Sequence, residues 1–214
     1  MIFNHTNERG FNRYIDSEEL GLFIWTQTLL FSIICKSAVP IFFMISGSML
    51  LSKEESIKRT FMRISPILID LILFSIIYFR IDAGNDPFSY KNTLQSILLN
   101  SYWHLWFLYA YIAFIVTVPF LRKLVIALDE KTSMYLFAIA TIFMGIVPIA
   151  EHFLPIDIYW NLKPNWLMAN IFIYPVIGYV IDNKINVSRM KKSSLAYIWI
   201  INLICFIVCE ICEY

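Results

Sequence analysis

The sequence predicts an all-α fold, a polytopic helical transmembrane bundle with about six spans in this chain. Of its 214 residues, 59% are hydrophobic and only 15% are charged, too apolar a balance for a soluble domain of this size to hide. Several apolar runs reach or approach the ~20 residues that cross a bilayer's hydrocarbon core. Lys and Arg are shared unevenly between alternate connecting segments, as the positive-inside rule requires of a threaded chain. A transmembrane barrel needs short alternating strands, and these long unbroken runs exclude it.

The spans are expected at Leu20–Leu50, Ile64–Phe79, Trp103–Leu121, Met134–Ile149, Trp166–Ile181 and Leu195–Ile211. The first is longer than one crossing, so part of it is expected to be an interfacial lead-in or a strongly tilted helix. It contains Pro40, which removes one backbone hydrogen bond, and Ser46 and Gly47, which let another helix come close. Along the last helix Cys205, Cys209 and Cys212 fall at i, i+4 and i+7, on one face. They do not make a metal-binding pattern, and small polarizable lining of a helix contact accounts for them.

Charge sets the orientation. The loops Ser52–Arg63, Arg122–Lys131 and Asp182–Lys192 hold eleven Lys and Arg, against five in segments 1–19, 80–102 and 150–165. The richer set is expected in the cytoplasm. Tyr102, Trp103, Tyr159, Trp160 and Trp166 then gather at the opposite interface, as an aromatic belt does. Both ends of the chain as given would lie outside. No secretory signal peptide opens the sequence. Its start, Met-Ile-Phe-Asn-His, reads instead as the tail of a hydrophobic helix whose beginning lies upstream.

No fixed-period repeat, low-complexity tract or long linker interrupts the chain, and a single domain over 1–214 is expected. The outer connections Arg80–Tyr102 and Glu151–Pro164 could form a partial lid or plain interfacial loops.

Two phrases carry more than composition. Val39-Pro-Ile-Phe-Phe-Met-Ile-Ser-Gly47 is followed by the basic loop and then by Lys58-Arg-Thr-Phe-Met-Arg-Ile-Ser-Pro-Ile-Leu68. Further on come Tyr102-Trp-His-Leu-Trp-Phe-Leu-Tyr109 and Thr117-Val-Pro-Phe-Leu-Arg122. In order and spacing, over roughly residues 1–181, these resemble the acyltransferase-3 family, integral-membrane O-acyltransferases that modify bacterial polysaccharides and envelope glycans. The resemblance implies a donor, acetyl-CoA, and an acceptor hydroxyl on a cell-surface polysaccharide or lipid-linked glycan. It also implies a multi-pass protein of the bacterial cytoplasmic membrane, solvated by membrane lipid, with no metal and no nucleic-acid partner. Members have about ten spans, so the chain is expected to be a fragment lacking the first helix and the C-terminal helices.

In the family an Arg and, about three turns later, an essential His lie on the first helix. The phrase Phe3-Asn4-His5-Thr6 matches the setting of that His, which makes His5 the expected catalytic residue; the Arg has no counterpart here. Moving an acetyl group from a thioester to a sugar hydroxyl needs a base of near-neutral pKa, and histidine supplies one without large tuning. No Gly-x-Ser-x-Gly elbow appears, so direct transfer is expected. His104 is the second catalytic candidate, as a group orienting donor or acceptor, unless it is only an interfacial neighbour of Trp103 and Trp106. Lys58, Arg59 and Arg63 are candidates for the CoA phosphates on the cytoplasmic side, where topology-setting charge is the plainer role. Lys36 and Asp70 are ionisable groups inside expected spans, each a site candidate by that fact. Lys36 could instead snorkel or pair with a carboxylate, and Asp70 could only bridge helices.

His152 and Asp157 have the His-x4-Asp spacing of glycerolipid acyltransferases, but the glycine and phosphate-binding context is missing. Two other functions stay open at this point. A small-solute transporter or exporter would use Lys36, Asp70 and the broken helices as a midplane site, with inverted repeats that this sequence does not show. A catalytically inert membrane fragment is the other.

Overall fold

The computed structural model describes residues 21–83, 105–146 and 169–185. Among the described residues all regular structure is helical, as the composition requires. The α-helices are α1 (Leu22–Lys36), α2 (Ala38–Leu51), α3 (Ile57–Met62), α4 (Ile64–Ala83), α5 (Trp106–Ala127), α6 (Glu130–Thr141) and α7 (Tyr174–Asn183). Two π-helical turns, Ile142–Ile146 and Ala169–Ile173, extend α6 and precede α7. The stretches Ile57–Ile81 and Trp106–Ala127 are long and apolar enough to cross a bilayer, while α2 is apolar but shorter. The expected span Leu195–Ile211, with Cys205 and Cys209, and Cys212 just after it lie outside the described residues.

The overlong first span resolves into two helices that meet at Ser37. The cause is local. Pro40 has no N–H to give the carbonyl of Lys36, and its ring crowds that carbonyl, so the helix breaks one turn before it. Ser37 Oγ then donates to Ile34 O at 2.8 Å, and Ile41 N–H donates to Ser37 O at 3.1 Å.

The chain divides into two compact units, one made of residues 1–52 and 125–214, the other of Lys53–Leu124. In the first unit the principal helix pair is α2 with α7. Two glycines allow it. A Cβ on Gly47 would fall 2.6 Å from the Pro175 carbonyl carbon, and one on Gly178 would fall 2.6 Å from Met44 Cα. Each glycine thus seats the other helix's backbone, the small-residue packing that membrane helices use in place of a hydrophobic driving force. Phe43 and Leu51 of α2 and Val176 and Val180 of α7 are buried. Toward the C-terminal ends of the two helices, Ser48 Oγ donates to the Asp182 carboxylate.

The same unit contains the turn from α5 into α6. Asp129 caps α6, accepting from Thr132 N–H at 2.8 Å and from the Thr132 hydroxyl. These bonds, the hydroxyl one foremost, hold the Asp129 carboxyl below its usual range. Lys184 Nζ donates to Leu128 O just before that cap. The helix starts at Glu130 rather than at Met134, because an N-cap and not the first apolar residue decides where a helix begins.

In the second unit α3 and α4 follow one another through Arg63, and α5 runs to Leu124. Along α5, Ala110, Phe114, Ile115, Val118 and Leu121 are buried. Ser75 of α4 is fully buried as well. The helix α5 continues past Leu121, the end expected from hydropathy, so that Arg122 and Lys123 are helical residues and not loop residues.

Candidate functional site

The basic loop organises itself around one carboxylate. Ser56 takes extended dihedrals (φ −66, ψ 151) and caps α3, its side chain accepting from Arg59 N–H at 3.4 Å. That cap starts the helix at Ile57 and puts Lys58 and Arg59 in its first turn and Arg63 at its end. Arg63 itself stays helical, its N–H donating to Thr60 O and Phe61 O. One residue before the cap, Glu55 is left in the loop, where its side chain reaches Arg63.

The two side chains meet as a fork. Arg63 Nη2 lies 2.6 Å from Glu55 Oε1, and Arg63 Nε donates to Oε2 at 3.2 Å. A second guanidinium arrives from α5. Arg122 Nη2 lies 3.4 Å from Glu55 Oε2, and its Nη1 donates to the main-chain carbonyl of Glu55 at 3.2 Å. The Glu55 and Arg122 side chains are 7% and 10% exposed, whereas that of Arg63 is 39% exposed. The Arg63 hydrogen bond, helped by the charges of Arg63 and Arg122, outweighs desolvation and holds the Glu55 carboxyl below its ordinary value.

This arrangement carries two positive charges and one negative. Glu55 occupies one edge of the Arg63 guanidinium, and among the described residues Nη1 meets no partner. A planar guanidinium fixed along one edge presents the other to solvent in a set orientation, a geometry suited to phosphate or carboxylate.

Of the residues singled out by sequence, Lys58, Arg59 and Arg63 are placed at this loop. Lys58 and Arg59 are exposed, with side chains tied to nothing among the described residues. Arg63 joins the cluster. Asp70 is exposed on α4, and Lys36 ends α1. His5, His104, His152 and Asp157 lie outside the described residues. Sequence reasoning missed Glu55 as the hub, and it read Arg122 only as loop charge and as the end of a family phrase. The partners are 67 positions apart, and no local spacing rule reaches that far.

Comparison with known proteins supplies the class of chemistry. A family model described as an acyltransferase domain, Acyl_transf_3, matches residues 1–212. No curated protein and no solved structure matches the chain. The family match takes in the basic loop, Arg122 and both bilayer-length helices, and on that ground the chain belongs to the acyltransferase-3 family and is a membrane acyltransferase.

Proposed function

We propose that the reaction is O-acetylation. Acetyl-CoA gives its acetyl group to a hydroxyl of a cell-surface polysaccharide or lipid-linked glycan, at the cytoplasmic membrane of a bacterium. The observation that carries this reading is the acyltransferase match over residues 1–212. The basic loop supports it from the donor side, since Arg63 offers an oriented edge on the face that the charge asymmetry assigns to the cytoplasm, where acyl-CoA is found.

The chemistry needs few parts. As the acceptor oxygen attacks the thioester carbonyl, His5 takes its proton; the carbon–sulfur bond breaks and the proton passes to the departing CoA thiolate. His104 orients donor or acceptor. Lys58, Arg59 and Arg63 hold the CoA phosphates, Arg63 by geometry and the other two by charge. No metal is needed, because the thioester is already activated.

The test is mass spectrometry of surface polysaccharide from cells with and without the intact gene. The reading expects an acetyl increment that disappears with the gene. Identical glycan masses in the two strains would refute it.

A further inference from the structure

The helix after the basic loop carries a feature that the arginine cluster does not explain. Arg63 keeps helical dihedrals (φ −75, ψ −21) between α3 and α4, so positions counted from it follow one helical screw. At about 100° per residue, Asp70, Phe74, Ile77 and Ile81 fall on the same stripe as Arg63. The stripe is uncovered along its length: Phe74 is 48%, Ile77 48% and Ile81 68% exposed, and Asp70 is exposed too. Leu71 and Ser75, roughly 100° round α4 from the stripe, are buried, while Leu68, Ile69, Ile72 and Leu73 on its remaining faces are exposed as well. Among the described residues Asp70 makes no hydrogen bond or ion pair.

An apolar stripe on a membrane helix calls for nothing but lipid. A carboxylate within it does, because an ionisable group at that depth is costly unless a polar partner meets it. The occupant must therefore bear an anionic end for Arg63, hydrogen-bond donors near Asp70 and an apolar or weakly polar end beyond.

We propose that this stripe is the track of the donor's pantetheine arm, with Asp70 accepting hydrogen bonds from the arm's amide N–H groups. The proposal rests on the reading of acyl-CoA as donor. At a rise of 1.5 Å per residue, Asp70 stands about 10 Å beyond Arg63 along the helix and Phe74 about 16 Å beyond it. Thirteen bonds join the pyrophosphate to the sulfur, an extended reach of roughly 16 Å at ordinary bond lengths. The two amide nitrogens lie about 8 and 12 Å along that arm. With phosphate on the open edge of Arg63, the two N–H groups bracket Asp70 and the thioester reaches the apolar positions Phe74 and Ile77. A glycerophospholipid could place a phosphate on Arg63 equally well, but its acyl chains bring no donors to the depth of Asp70.

Equilibrium binding to the purified full chain in lipid nanodiscs tests this with two probes: CoA, and adenosine 3′,5′-bisphosphate, which has phosphates and no arm. Asp70→Leu should weaken CoA about tenfold, the scale of a hydrogen bond to a charged group, and leave the bisphosphate unchanged. Asp70→Asn, which keeps an acceptor oxygen, should recover most of the CoA affinity. Arg63→Gln should weaken both probes. Equal CoA affinity in wild type and Asp70→Leu overturns the track while leaving the donor assignment intact. Parallel loss of both probes in Asp70→Leu also overturns it, by making Asp70 a structural residue. Failure of the wild-type chain to bind CoA at all ends the donor reading and the track together.

Discussion

Glu55 holds Arg63 edge-on, with Arg63 Nη2 2.6 Å from Oε1 and Nε 3.2 Å from Oε2, and its carboxylate is simultaneously within reach of Arg122 at 3.4 Å. One acidic side chain in a short loop thereby fixes the start of α4 to the end of α5. Removing either arginine leaves a nearly buried carboxylate only partly compensated, which costs more than losing a surface pair.

Arg122→Met should therefore destabilise the protein more than Arg63→Met. About 2–4 kcal/mol is expected for Arg122, whose side chain is enclosed. Solvent screening reduces the effect at the more exposed Arg63 to about 1 kcal/mol. Thermal unfolding of the purified chain in detergent reads both. Equal losses, or none, would show that the cluster does not clamp the loop.

Acid should dissolve the clamp. The Glu55 carboxyl is held below its ordinary value of 4.5, chiefly by the Arg63 hydrogen bond. A group lowered on folding contributes stability that is fully present above the unfolded value and is lost as pH falls through the lower folded one. The difference in stability between wild type and Glu55→Gln should hold steady between roughly pH 6 and 8 and shrink only in acid, below the ordinary carboxylate value. A gap that closed near neutrality would contradict the pairing.

The glycine crossing makes a sharper demand. Gly47→Ala and Gly178→Ala each put a methyl group against the opposing backbone, which has no rotamer to yield. Each should cost about 3 kcal/mol, at the upper end of overpacking effects. The two sites share one contact, so the double variant should lose less than the sum. Unfolding curves of the three variants measure it, and full additivity would mean that the crossing is not shared.

For the chemistry, His5→Ala should abolish glycan acetylation while membrane insertion stays normal. Insertion is read by fractionation and acetylation by mass spectrometry. Retained acetylation would remove His5 from the mechanism.

Much of this protein was legible before its fold. Apolar run length revealed membrane helices, because a bilayer sets one fixed thickness. The phrases around Pro40, Gly47, His104 and Pro119 resembled the acyltransferase-3 family, and the family match agreed. Helix ends were less legible: hydropathy stopped at Leu121 and began again at Met134. Backbone hydrogen bonding carried α5 to Ala127, and the Asp129 cap started α6 at Glu130. The break at Ser37 is written in Pro40, whereas span length alone points to an interfacial lead-in or a tilted helix.

By itself, then, the sequence determined the solvent, the helical class and the family, since each depends on composition or on local order along the chain. Only the tertiary structure decided that Glu55 joins Arg63 to Arg122, and that Gly47 and Gly178 seat each other's helices. Those are relationships between residues dozens of positions apart. They depend on how helices are brought together in space, and no periodicity within a single helix encodes that.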